Sequence, residues 1–139
     1  MPEVFTTIDL NNERLTIYVD GSYKKTCDGT TCYYNKEAQF HRNAGPAIEW
    51  NSGGKEWWYN GLRHCEYGPA VKSSSGSEMW YFYGVLHRVD GPAIILPNGT
   101  QEWWYNGKRH REDGPAIIQP NGTQEWWRNG ERFFPEEDP

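Results

Sequence analysis

Four histidines, His41, His64, His87 and His110, stand 23 residues apart. Imidazole ligates metals and moves protons near neutral pH, so this spacing poses the first chemical question. His87-Arg88 and His110-Arg111 are each followed by an aspartate, Asp90 and Asp113, two residues beyond the arginine. In an extended segment such a pair shares one face and can form an ion pair within or between units. Where Cys65 and Tyr67 stand instead, the arginine and the aspartate are lost together. The three cysteines, Cys27, Cys32 and Cys65, complete the set of side chains with metal or redox chemistry.

Neither catalysis nor a shared metal fits the pattern. Strands lie about 4.8 Å apart, so equivalent residues of stacked hairpins are roughly 10 Å apart. Zinc ligands lie within about 2.1 Å of the ion. The four histidines therefore cannot meet on one metal. The expectation is a structural role, with each imidazole donating to a backbone carbonyl near a Gly-Pro bend. Catalysis needs an asymmetric constellation of groups with matched pKa values. The sequence has no Ser-His-Asp arrangement, no phosphate loop and no supported carboxylate pair. No catalytic residue, cofactor or metal ligand is assigned. Cys27 and Cys32 flank the Asp28–Thr31 turn and are expected to face each other across it as small side chains of a cap hairpin. A zinc site with Cys65 and a histidine, or redox chemistry, stays open, although C-x₄-C without a second pair is a weak signal.

The elements that carry these residues follow from the same period. Gly-Pro-Ala stands at 45–47, 68–70, 91–93 and 114–116, and the aromatic doublets Trp57-Trp58, Trp80-Tyr81, Trp103-Trp104 and Trp126-Trp127 keep the step. A fixed period of this size marks stacked supersecondary units. In one unit, Thr100–Tyr105 reads as a strand, and Asn106-Gly107 as a type I′ turn. Lys108–Arg111 returns antiparallel. Asp113-Gly114-Pro115 then breaks the return strand with a bend or bulge. Ala116–Gln119 resumes it, and Pro120–Thr123 closes the unit. The predicted fold is all-β: an elongated, twisted antiparallel meander of about five stacked 23-residue hairpins in a single domain. Residues 1–16 form an N-terminal cap and 17–40 a degenerate unit with one residue inserted before His41. Four units follow at 41–63, 64–86, 87–109 and 110–132. Residues 133–139 form a C-terminal cap and tail, with Phe133-Phe134 folding over the last hairpin.

At 139 residues the chain suits one domain, and 16% aromatic residues must supply buried area that scarce aliphatics cannot. A net charge of −5 disfavours nucleic acid and anionic membranes as partners. An odd cysteine count, no signal peptide and no long apolar run favour a soluble cytoplasmic protein.

Neighbouring strand residues face opposite sides. Trp57, Trp80, Trp103 and Trp126 should therefore form one column, which Tyr59, Phe82 and Tyr105 rejoin, and Trp58, Tyr81, Trp104 and Trp127 another on the opposite face. Either one column packs inside with Arg63 and Arg109 over the other, or an aromatic and arginine stripe is exposed for binding. The third unit departs most from the pattern. The candidate partner-binding set is therefore Trp58, Tyr67, Met79, Tyr81, Phe82 and Tyr83, with Trp104 and Arg109 from the most regular unit.

The run Trp103-Trp104-Tyr105-Asn106-Gly107-Lys108-Arg109-His110-Arg111-Glu112-Asp113-Gly114-Pro115-Ala116 resembles the MORN (membrane occupation and recognition nexus) repeat. It is closer to a MORN-like variant of uncharacterised phage and giant-virus proteins. The resemblance covers residues 41–134 well and 17–40 poorly. It implies an elongated sheet and an interaction module. Trp-Trp in place of Tyr-x-Gly, and Gly-Pro-Ala in place of Gly-x-Gly, count against the lipid role proposed for some members. The resulting expectation is a non-enzymatic protein-binding module. It would be a small virus-encoded protein that inhibits a host defence protein by occupying a basic or peptide-binding groove. A small-molecule or nucleotide sponge and a structural scaffold are the competing readings.

Overall fold

The computed structural model describes residues 2–136, and the end of the acidic tail, 137–139, lies outside the described residues. Those residues form 19 strands and no helix. The first four strands are the longest run of regular sheet: β1 (Val4–Leu10), β2 (Glu13–Tyr18), β3 (Tyr23–Cys27) and β4 (Thr30–Tyr34). Thereafter most strands are two residues long. They are β5 (Ile48–Glu49), β6 (Lys55–Glu56), β7 (Trp58–Tyr59), β8 (Leu62–Arg63), β9 (Val71–Lys72), β10 (Glu78–Met79), β11 (Tyr81–Phe82) and β12 (Val85–Leu86). The series continues with β13 (Ile94–Ile95), β14 (Gln101–Glu102), β15 (Trp104–Tyr105), β16 (Lys108–Arg109) and β17 (Ile117–Ile118). It ends with β18 (Gln124–Arg128) and β19 (Glu131–Phe133).

Thirteen of these strands form one antiparallel sheet in the order β1-β2-β3-β4-β5-β6-β9-β10-β13-β14-β17-β18-β19. It is an open, elongated meander, as the sequence predicted. The pairs β7–β8, β11–β12 and β15–β16 form separate two-stranded ribbons. These ribbons are bonded to one another in series. Gly84 N–H donates to the Arg63 carbonyl at 2.8 Å and Gly107 N–H to that of Leu86 at 2.9 Å.

The break between sheet and ribbon has a specific cause. The sequence suggests an unbroken strand over Thr100–Tyr105, but the strand is interrupted at Trp103. There the return strand leaves the ladder for five residues, 111–115. Trp103 spans both ends of this excursion: its N–H donates to the Ala116 carbonyl at 2.8 Å, and its C=O accepts from His110 N–H at 3.1 Å. Trp80 and Trp57 make the same two bonds to Ala93 and His87, and to Ala70 and His64. Tyr33 makes them to Ala47 and His41, so the residue inserted before His41 is absorbed in the Asn35–Gln39 loop, with Ala38 at φ 63°. The last unit is an internal control. No Gly-Pro-Ala follows Trp126, which pairs directly with Phe133, and β18 runs unbroken for five residues.

The core is thin. Ala47, Ala70, Ala93 and Ala116 have no exposed surface; Ile48 and Ile117 are buried beside them. Among the described residues no large side chain is fully buried. The alanine of Gly-Pro-Ala thus re-enters the ladder with its methyl group wholly buried.

Two expectations are corrected at the ends. Phe133 continues the sheet and Phe134 is 78% exposed, so the pair does not fold over the last hairpin. Cys27 is opposite Thr30 and Cys32 opposite Lys25, so the two thiols are diagonal rather than facing, and all three cysteines are free.

Candidate functional site

The repeated polar residues build the frame on which an apolar surface is displayed. Each histidine accepts rather than donates, reversing the expectation from sequence. The Nδ1 atoms of His41, His64, His87 and His110 accept from the backbone N–H of Asn60, Tyr83, Asn106 and Asn129 at 3.0–3.1 Å. Each donor is the first residue of a two-residue turn at positive φ, whose N–H has no partner within its own hairpin. Accepting at Nδ1 places the proton of the neutral ring on Nε2. His110 directs that Nε2 at Glu112, 2.9 Å away. Burial pushes the His64 imidazole below its usual value, against a smaller upward pull from Glu66. Among the described residues no three His, Cys, Asp or Glu side chains converge as metal ligands would.

The arginine after the histidine fills the excursion. The guanidinium carbons of Arg42, Arg88 and Arg111 lie 3.9 Å above the rings of Tyr33, Trp80 and Trp103. Their Nη1 atoms donate to the carbonyls of Pro46, Pro92 and Pro115 at 3.0–3.2 Å. Arg88 and Arg111 also pair with Asp90 and Asp113, at 3.0 and 3.4 Å, as their spacing suggested. The glycine of Gly-Pro-Ala leaves room for this arginine: a Cβ at Gly91 or Gly114 would lie 2.9 or 3.0 Å from it. Cys65 makes no such plug, and nothing lies within 4 Å of a Cβ at Gly68.

The ribbons carry a ladder on each side. On one side arginine alternates with indole or phenol. Arg63 lies 4.9 Å from the Trp58 ring and 5.5 Å from Tyr81; Arg109 lies 5.1 Å from Trp104 and 5.3 Å from Trp127. Carboxylates close this ladder. The Nε1 atoms of Trp104 and Trp127 donate to Glu102 and Glu125 at 3.0 Å. Glu56, buried, is instead occupied by Trp50 Nε1 and Arg63, so Trp58 Nε1 is buried without a partner. Arg109 Nε is 3.5 Å from Glu102, an ion-pair distance without hydrogen-bond alignment.

On the other side histidines alternate with Tyr59, Phe82 and Tyr105. Ring centroids of His41–Tyr59, His64–Phe82 and His87–Tyr105 are 4.6, 4.8 and 4.5 Å apart. The third unit adds a ring, Tyr83, stacked on His64 at 3.9 Å. This side is open. Tyr59, Leu62, Phe82, Tyr83, Val85 and Tyr105 are each 40–50% exposed and form a stripe over three successive ribbons.

The eight residues picked from sequence fall in four places. Phe82 and Tyr83 are on the stripe. Trp58, Tyr81, Trp104 and Arg109 are half-buried in the arginine ladder. Met79 lies in the long sheet between Val71 and Ile94. Tyr67, 93% exposed, stands on the excursion that lacks its arginine. Sequence reasoning set Tyr59 and Tyr105 in one column with Phe82 without choosing them as binding residues, and it missed Leu62 and Val85 altogether. A signal was present: the residue after each turn glycine is Leu62, Val85, Lys108 and Glu131 in successive units. It is apolar only in the two units that carry the centre of the stripe.

Among the described residues no helix is long and apolar enough to cross a membrane. No protein-family model matches the chain, and none of the curated proteins matches it in sequence.

Proposed function

We propose that the chain is a non-enzymatic protein-binding module that docks its partner on the ribbon stripe centred on Phe82 and Tyr83. The carrying observation is the continuous exposure of six large apolar side chains on a frame locked by histidine and arginine contacts. Rigid aromatic anchors lose little side-chain entropy on binding, and contiguous apolar patches mark interaction sites. The net charge of −5 suits a partner with a basic or peptide-binding groove. The likeness to MORN-like units of phage and giant-virus proteins supports the finer reading, a virus-encoded inhibitor of a defence protein in the host cytoplasm. The test is affinity capture from host lysate with wild type and with Leu62→Ser/Val85→Ser, which replaces two exposed side chains. A stoichiometric partner held by wild type and released by the variant supports the reading. Stoichiometric capture by neither sinks it in that host.

One observation favours a small-ligand reading. A cleft of about 720 Å³ is lined by Tyr18, Tyr23, Tyr33, Lys24 and Lys36. Asp20, Glu37 and Arg42 line the cleft as well, and its size suits a small planar ligand. A melting shift with a nucleoside monophosphate, abolished by Lys24→Ala/Lys36→Ala, is the result that reading requires.

A further inference from the structure

We propose that β1 is a self-pairing edge through which two copies of the chain join their long sheets into one. β1 is the outermost strand, and its seven residues face β2 alone. An exposed, long, apolar edge is a template for strand addition unless charge, proline or a covering element blunts it. Over Thr6–Leu10 no proline or covering element is present, and the β-bulge between Val4 and Thr6 turns aside only the start of the strand. Val4, Phe5, Ile8 and Leu10 are 41–73% exposed, and the only charged residue of the strand, Asp9, is neutralised by Arg14 at 2.7 Å. The N-terminal strands thus end the sheet without closing it.

The register decides which backbone groups are free. The two-residue loop Asn11-Asn12 closes on Leu10 opposite Glu13, a hydrogen-bonded pair in such hairpins. Alternation along an antiparallel ladder then turns the N–H and C=O of Thr7 and Asp9 outward. A two-fold axis beside Ile8 keeps the junction within the regular stretch Thr6–Leu10 and satisfies both copies. Thr7 of each exchanges N–H and C=O with Asp9 of the other, Ile8 meets Ile8, and Leu10 meets Thr6. No like charges are opposed, and the apolar face holding Ile8, Leu10, Leu15 and Ile17 continues across the junction.

The other end of the sheet is a poor match for β1. β19 is three residues long, carries Glu131 and Arg132, and is soon followed by Pro135. Head-to-tail pairing would also propagate without limit, whereas β1 with β1 is isologous and closes at two. The occupant is therefore a second copy.

The test is sedimentation equilibrium of the full chain over a range of concentrations, with Thr7→Pro and, separately, Ile8→Lys. Proline removes an outward N–H and leaves the ladder to β2 intact; lysine places charge on the exposed face. The expected result is a wild-type mass of twice 16.2 kDa, falling to 16.2 kDa in both variants. Circular dichroism spectra should match wild type. A wild-type monomer at every concentration, a dimer that survives both substitutions, or open-ended filaments would each overturn the proposal. The stripe of the binding module lies on other strands, so failure here leaves that reading standing.

Discussion

Replacing Tyr83 by asparagine should stabilise the protein and weaken its binding. Tyr83 sits at φ 43°, the left-handed region, where the equivalent turns have Asn60, Asn106 and Asn129 at 46–50°. Asparagine visits this region readily, while other L-residues are strained there by about 1–2 kcal/mol. The ring offsets part of the strain by stacking on His64 at 3.9 Å. A stacked pair contributes about 0.5–1.5 kcal/mol, and half-exposure of Tyr83 places it at the low end. The hydrogen bond to His64 Nδ1 comes from the backbone and survives substitution. The net change for Tyr83→Asn is a gain of about 0.5 kcal/mol, or about 1–2 °C in Tm. Tyr83→Ala is the sharper comparison, because it removes the same ring and keeps the strain. Urea unfolding should therefore place the asparagine variant about 1 kcal/mol above the alanine variant. Finding the alanine variant equal or superior would refute the strain argument. Strain retained where a stabilising residue is one substitution away marks a position kept for another purpose.

Three further outcomes follow from the frame. Burial depresses His64, so the unfolded chain takes up a proton first as pH falls below the ordinary value of 6.5. Stability is full above that pH and is lost as pH falls toward the depressed folded value. The decline of Tm between about pH 7 and pH 5 should be shallower in His64→Gln than in wild type, and equal slopes would exclude His64 as the source. Cys65→Arg with Tyr67→Asp should install the missing plug over Trp57 and raise stability by about 0.5–1 kcal/mol, read from the urea midpoint. Trp104→Phe should cost about 1 kcal/mol more than Trp58→Phe, because only the first removes an indole hydrogen bond to a carboxylate.

Much of the fold was legible because local chemistry and period agree. Asn-Gly marked two of the three ribbon turns, the third being Tyr83-Gly84, and Gly-Pro-Ala marked the interruption of the return strand. What the interruption does to the opposite strand was not legible. Trp103 reads in sequence as half of a strand doublet, yet it bonds both ends of a five-residue excursion and splits its own strand. Pattern reports which residues alternate, whereas this break depends on bonds across the pair. The histidines show the same limit. Their period indicated one shared job, but donor or acceptor was fixed by turn amides 19 residues away. The arginine-aspartate pairs were visible because they are two residues apart. Within the candidate site, the large aromatics drew attention to both ladders alike, although Arg63 and Arg109 half-bury one of them. The exposed side was written in smaller letters, at the position after the turn glycine.

The most direct test of the binding face is a titration of the captured partner, once purified, against wild type, Leu62→Ser/Val85→Ser and Tyr67→Ala. Removing the centre of a docking surface costs about 2 kcal/mol or more, so the double variant should bind roughly 30-fold more weakly or worse. Tyr67→Ala, on the separate excursion, should bind as wild type does. Undiminished affinity of the folded double variant, or loss of binding only in Tyr67→Ala, would contradict a docking face on the ribbons.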